Sequence, residues 1–232
     1  MAGIVLLSGG LDSTVALALY LERHTLDLAL TFDYGQRSKE REIKAAQLIA
    51  TYYGIAHKIL ALPFLEEQTS TALVNVKNDL PDISGVELDD VQGRALESAA
   101  SVWVPNRNGL FINIAAVYAE NLGQPSNIIT GFNCEEASTF PDNSVDFIFA
   151  INQSLKYSTM QETIVVSPTS ELTKSEIVSE GLRLDIPWDY IWSCYSGQSQ
   201  LCGVCESCRR FKRALLNNGK NELVNKLFTD VL

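Results

Sequence analysis

The chain has 232 residues, 46% of them hydrophobic, enough for one medium domain with a buried core and a small appendage. Its formal net charge of −10 argues against loose, sequence-independent binding to nucleic acid, which needs a basic face, but leaves room for a small anionic ligand held by local donors. No apolar run is long enough to cross a membrane, and no charged-apolar-small leader opens the chain, so a soluble cytoplasmic protein is the expectation.

In chain order, residues 3–7 form a short apolar run that reads as a buried strand. A polar, glycine-rich turn, SGGLDS at 8–13, separates it from residues 13–23, apolar all round and therefore a buried helix. Residues 26–32 predict a second strand. Residues 37–53 predict a helix, with Ile43, Ala46, Ile49, Ala50 and Tyr53 at helical spacing and Gly54 as its C-terminal cap. Strands follow at 57–62, 127–130 and 163–166, with helices at 110–122 and 142–157 between them. Residues 69–101 break this rhythm with a polar excursion long enough to be functional, such as a lid, or disordered. Short closing helices are expected at 209–216 and 222–227. Strand–helix alternation predicts an α/β fold: a doubly wound parallel sheet of about five strands. The domain is expected to span 1–187, with a cysteine-bearing segment, 188–232, packed on it.

In an open α/β sheet, ligands sit beyond the carboxyl ends of the strands, where SGGLDS lies. Glycines let a ligand approach the backbone, and the amides at a helix start are unpaired and partly positive. Ser8, Gly9, Gly10, Leu11, Asp12, Ser13 and Thr14 therefore form a candidate phosphate cradle, with Ser8 and Ser13 adding hydroxyl donors. Asp12 beside phosphate is repulsive unless a divalent cation such as Mg²⁺ bridges them. The simpler alternative is a tight turn in which Asp12 or Ser13 caps the helix. The turn is neither the dinucleotide G-x-G-x-x-G nor a P-loop ending in G-K-[ST].

Four of the five cysteines crowd into CYSGQSQLCGVCESC: Cys194, Cys202, Cys205 and Cys208. Two consecutive C-x-x-C spacings with a fourth thiol eight residues upstream suit a structural Zn²⁺ with no open position. A redox-active pair, an iron–sulfur cluster and a sulfur-carrying thiol are the alternatives. Cys134 stands apart and reads as a spectator.

S-G-G-x-D-S directly after the first strand resembles the pyrophosphate loop of the ATP pyrophosphatase family, whose members cleave ATP between the α and β phosphates and transfer AMP to an acceptor oxygen. Further along stand TFDYGQRSKERE, VPNRNGLF, GFNCEEASTFPDN, SPTSELTKSEIV and WSCYSGQSQLCGVCESC. This set, in this order and over nearly the full chain, resembles the 7-cyano-7-deazaguanine synthase branch of that family. Within GFNCEEASTFPDN, Glu136 stands where the familiar pattern has aspartate, and Thr139 and Phe140 replace Gly-Tyr.

The resemblance implies an adenine-nucleotide hydrolase-like fold, ATP with Mg²⁺, one structural Zn²⁺ per chain and a homodimer. Its substrates would be 7-carboxy-7-deazaguanine and free ammonia, with no direct contact to nucleic acid. It implies nucleotide contacts from residues 8–14 with Gln36 and Arg37, and catalytic roles for Ser8, Asp12, Ser13, Arg107 and Lys174. Asn108, Asn133, Glu136 and Asp142 are candidates for the guanine-like edge. Each has a plainer alternative: a surface salt bridge for Arg107, a helix cap for Asn108, a helix-start side chain for Arg37, and turn chemistry for Asn133, Glu136 and Asp142. Tyr34 suits either base stacking or core packing. Thr173 and Glu176 form a capping box, and Lys174 between them points elsewhere, within reach of a phosphate. His24 and His57 receive no role. Two other functions compete with this one: adenylation of another carboxylate or a tRNA base, and nucleotide binding without turnover.

Overall fold

The structure, a computed structural model, describes residues 2–75, 77–81, 88 and 100–229. Most of the excursion expected at 69–101, and with it the question of a lid, lies outside the described residues.

The elements follow the alternation of the sequence. Strand β1 (Ala2–Leu6) leads into α1 (Leu11–Leu21), β2 (Leu28–Asp33) into α2 (Lys39–Tyr52), and β3 (His57–Ala61) into a short α3 (Pro63–Gln68). Helix α4 (Arg107–Glu120) precedes β4 (Ser126–Ile129). A single helical turn, α5 (Cys134–Ala137), and a 3₁₀ turn at Pro141–Asn143 then lead to α6 (Val145–Ser158) and β5 (Thr163–Val166). Helices α7 (Lys174–Arg183), α8 (Glu206–Asn217) and α9 (Asn221–Leu227) close the chain.

The five strands form one sheet in the order β3-β2-β1-β4-β5, and every pair is parallel. The chain builds outward from β1 to one edge, then returns to lay β4 on the other side. The crevice beyond the carboxyl ends of β1 and β4 is therefore the switch point of the sheet, where ligands bind in folds of this type.

Side-chain alternation divides the core into two layers. Val5, Ala29 and Ile129 face one layer, with Leu17 of α1, Ile49 of α2, Ile177 of α7 and Phe211 of α8. Their neighbours Ile4, Leu30 and Ile128 face the other, with Ile112 of α4 and Leu155 of α6. Burial on both sides explains why β1 and β2 read as largely continuous apolar runs, whereas the edge strand β3 is mostly exposed. The cysteine segment is part of the first layer: Cys194, Leu201, Cys205, Cys208 and Phe228 share its core with Leu11 and Leu17.

Some boundaries differ from the sequence expectation. Helix α1 begins at Leu11, so Asp12 and Ser13 belong to its first turn. Its N-cap is Gly10, with no side-chain cap, which removes the reading of Asp12 or Ser13 as the cap. Helix α4 begins at Arg107 with Asn106 as N-cap in the left-handed region, so Asn108 is not a cap either. The short helices α3 and α5 carry too few turns for an apolar period to register.

The Thr173 and Glu176 capping box is present. Thr173 Oγ1 accepts from Glu176 N, and the Glu176 carboxylate accepts from Thr173 N at 2.8 Å. Thr173→Ala should lower unfolding stability by about 1 kcal/mol, read as a shift of the urea midpoint; an unchanged midpoint would show that packing alone holds this end of α7.

Candidate functional site

The turn after β1 is shaped by close approach. Gly9 has φ +80°, and a Cβ there would lie 2.6 Å from Ala45 Cβ and 2.8 Å from Ala46 N of α2. The turn after β4 comes as near from the other side: a Cβ on Gly131 would lie 2.5 Å from Ser13 N. Two side-chain-free positions thus let both strand ends converge on the start of α1. Inside the turn, Ser8 Oγ lies 3.1 Å from Ser13 Oγ and accepts from Gly10 N at 3.2 Å. The segment before Cys194 braces it, since Trp192 N donates to Gly9 O at 2.8 Å and Leu11 N to Ser193 Oγ at 3.4 Å.

Lys174, the first residue of α7, sends its side chain into this junction. Its ammonium donates to Asp12 Oδ2 at 2.5 Å and to Glu136 Oε1 at 2.9 Å. The side chain is 6% exposed. Burial alone would lower the lysine pKa, but the two carboxylates outweigh it and hold the pKa above its ordinary value. Burial raises the Asp12 pKa from 3.8 to about 6 despite the lysine, with Glu136 adding repulsion. Glu136, less enclosed, is pushed up by burial, but Lys174 outweighs this and holds it below the usual range. Asp12 Oδ1 is buried with no hydrogen-bond partner, and so is Asn133 Nδ2.

Beside this cluster lies a cavity of about 260 Å³, lined by Ser8, Gly10, Leu11, Asp12, Ser13, Arg107, Asn108 and Glu136 among others. One wall is aromatic: Phe32 stacks on Phe111 with centroids 4.0 Å apart, and Tyr34 tilts against Phe111 at 5.6 Å. Arg107 crosses this wall, donating to Tyr34 Oη at 3.1 Å with its guanidinium 5.7 Å from the ring centroid. Arg107 thus faces the cavity rather than forming a surface salt bridge.

The cysteine sulfurs form a second candidate site. One sulfur from each of Cys194, Cys202, Cys205 and Cys208 lies within 4.8 Å of the others. A tetrahedral ZnS₄ centre with ~2.3 Å bonds has sulfur–sulfur edges of about 3.8 Å, so the cluster suits a metal ion. Ser196 N donates to Cys194 Sγ at 3.4 Å and Cys205 N to Cys202 Sγ at 3.3 Å, contacts that favour thiolates. Gly203, at φ +73°, turns the chain between Cys202 and Cys205.

A family model described as queuosine biosynthesis protein QueC matches residues 2–219. The chain belongs to the QueC family. The 7-cyano-7-deazaguanine synthase of Pelotomaculum thermopropionicum is 52% identical over 219 residues, covering 94% of this chain and 98% of its own. That of Desulforamulus reducens is 49% identical over 230 residues, covering 99% and 100%. That of Methanosarcina barkeri is 44% identical over 230 residues, covering 98% and 99%.

In this QueC family member, several expected ligand residues stand away from the cavity. Gln36 is spent internally: its Oε1 accepts from Tyr34 N, and its Nε2 donates to Phe32 O and Glu42 Oε2. Arg37 donates to the carbonyls of Ala72, Asn75 and Asn78. Both line a neighbouring polar hollow instead. Thr14 is fully buried, with its hydroxyl on Gly10 O at 2.7 Å. Asn133 caps α5 through Oδ1 to Glu136 N, as turn chemistry would have it. The Asp142 carbonyl accepts from Asn108, while its neighbour Asn143 lines the cavity.

Sequence reasoning missed Glu42, Asn143, Trp192, Ser193 and Tyr195, all of which line the cavity. Glu42 had a signal, its place in TFDYGQRSKERE, whereas the last three lay in a string read only for its cysteines.

The ion cluster makes a pH-dependent prediction. Between pH 3.8 and about 6 the folded state holds a proton on Asp12 that the unfolded chain releases, so this group loses stability as pH rises through that window. Lys174→Met leaves two part-buried carboxylates without their cation and should cost about 3 kcal/mol at pH 8. The deficit against the parent should shrink at pH 5, where Asp12 takes up a proton. Denaturant melts at the two pH values read it, and an equal deficit at both would refute the coupling.

Proposed function

We propose that the switch-point cavity binds ATP and 7-carboxy-7-deazaguanine and makes 7-cyano-7-deazaguanine with ammonia, in queuosine or archaeosine synthesis. The observation that carries this reading is the Lys174 bridge between Asp12 of the glycine-rich turn and Glu136 of the turn after β4. It sets a nucleotide-binding loop against a pocket that also holds Arg107. The names and near-complete coverage of the relatives support the same chemistry.

A carboxylate is a poor electrophile because its leaving group would be oxide. Attack of its oxygen on the α-phosphorus of ATP gives an acyl adenylate and releases pyrophosphate. Ammonia then displaces AMP and leaves the amide. Attack of the amide oxygen on a second ATP releases pyrophosphate again, and loss of AMP with two protons from nitrogen gives the nitrile. The chain's share is positioning and charge stabilisation. The first-turn amides of α1, with Ser8 and Ser13, receive the departing pyrophosphate. Arg107 pairs with the substrate carboxylate, and the aromatic wall beside it takes a flat ring. Glu136 and Asn143, both in the cavity lining, offer acceptors for the N1–H and exocyclic amine of the base.

The unpartnered Asp12 Oδ1 suits a divalent cation, and Mg²⁺ held there would neutralise phosphate charge. The four cysteines suit one structural Zn²⁺ per chain. Among the described residues no helix is long and apolar enough to cross a membrane. Exposed Val117 on α4 and Val145 and Phe149 on α6 support a homodimer.

Two experiments test this. The first incubates the protein with 7-carboxy-7-deazaguanine, ATP, Mg²⁺ and ammonium, and analyses products by mass spectrometry. Nitrile, AMP and pyrophosphate are expected, with Asp12→Asn slowing turnover by about 10²–10³. AMP without nitrile would move the acceptor to another carboxylate or a tRNA base, and no ATP cleavage would reject the enzyme. The second counts metal: one zinc per chain is expected, lost in Cys208→Ser together with several degrees of melting temperature. Full stability without bound metal would reject the zinc assignment.

A further inference from the structure

Glu135 has no part in the chemistry above, yet it joins three segments. Its Oε1 accepts from the backbone N–H of Lys174 at 2.8 Å. Its Oε2 accepts from Arg210 Nη1 at 3.2 Å and Arg213 Nη2 at 3.1 Å, both on α8. Arg210 is buried, its side chain 5% exposed, and its Nε also pairs with Glu206. Helix α8 starts at the cysteine cluster, with Cys205 as its N-cap and Cys208 in its first turn. Arginines three apart present one face to Glu135. The N–H that Glu135 receives belongs to the first residue of α7, where the helix has no acceptor of its own and a carboxylate is electrostatically favoured. Lys174 is therefore held at both ends, its backbone by Glu135 and its ammonium by Asp12 and Glu136.

We propose that Glu135 is a positioning residue: it ties the arginine face of α8 to the start of α7 and so fixes where the Lys174 ammonium meets the pyrophosphate loop. This rests on the reading above for the importance of Lys174 to turnover, but not for the tie itself. It gives the cysteine segment a task beyond stability, because α8 is anchored at its cysteine end and Glu135 carries that anchorage to the site.

The tie is tested first without substrate, by hydrogen exchange and mass spectrometry on the full-length, metal-loaded protein. Glu135→Ala should speed exchange in the peptide containing residues 172–176 while leaving sheet peptides protected. Arg213→Ala, on a partly exposed side chain, should do the same more weakly, and it carries the test should the alanine variant at 135 fold poorly. The double variant should cost less than the sum of the two single variants, since they share a contact. Turnover then reads the consequence: Glu135→Ala should lower kcat about tenfold to a hundredfold at nearly constant KM for ATP and unchanged metal content. Glu135→Gln, which keeps an acceptor for the Lys174 N–H but turns its amide NH₂ toward the arginines, should recover only part of it. Unchanged exchange at 172–176, additive effects in the double variant, or full kcat in a folded Glu135→Ala would each overturn the proposal. A wild-type protein inactive on the deazaguanine would refute the proposed substrate while leaving the exchange result to judge the tie.

Discussion

Everything at the head of the sheet depends on one buried ammonium. Lys174 is almost fully enclosed and carries a charge that burial alone would not tolerate. Two carboxylates keep it ionised, one from the turn after β1 and one from the turn after β4. Removing the lysine leaves two carboxylates crowded together without their cation, which costs far more than a surface pair contributes. The cluster is therefore a registration device. It brings residues separated by 162 and 38 positions in the chain into contact, and it does so only when the sheet is assembled in the order observed.

The same cluster sets the electrostatics of the cavity. One lysine against Asp12 and Glu136 leaves a local excess of negative charge, with Glu135 close behind. Such a place repels bare phosphate and favours phosphate that arrives with a cation. The unpaired Asp12 Oδ1 fits that demand. Arg107 also lines the cavity, where Tyr34 supplies both a ring face and a hydroxyl acceptor.

The sheet and two side-chain clusters were legible because each rests on local chemistry. Apolar strands mark burial, glycine with small polar residues marks the turn after β1, and clustered cysteines mark a candidate metal site. The Thr173 and Glu176 box was equally readable, since a cap is decided within four residues. What the sequence hid was depth and direction. Gln36 and Arg37 follow a strand end as ligand residues do, but their side chains are drawn into the backbone of their own loop and of residues 72–78. Trp192, Ser193 and Tyr195 flank Cys194 in the sequence; folded, all three line the cavity, and Trp192 and Ser193 brace Gly9 and Leu11. Nothing local marks Glu135, because the two arginines on α8 that converge on it lie 75 and 78 positions away.

The glycines show why the cysteine segment cannot be an ornament on a finished domain. Gly9 and Gly131 are needed because α2 presses on the turn after β1 and the start of α1 presses on the turn after β4. Crowding of that kind leaves the turn after β1 with little packing of its own, since it has almost no side chain to contribute. Its rigidity has to come from outside, and it comes from the chain just before Cys194, through Gly9 O and Leu11 N. The core agrees: Cys194, Cys205 and Cys208 are buried beside Leu11 and Leu17 of the helix that the turn begins. A turn open enough to admit phosphate, and still fixed enough to align it, thus requires a support that is itself cross-linked, which four thiolates around one ion can provide.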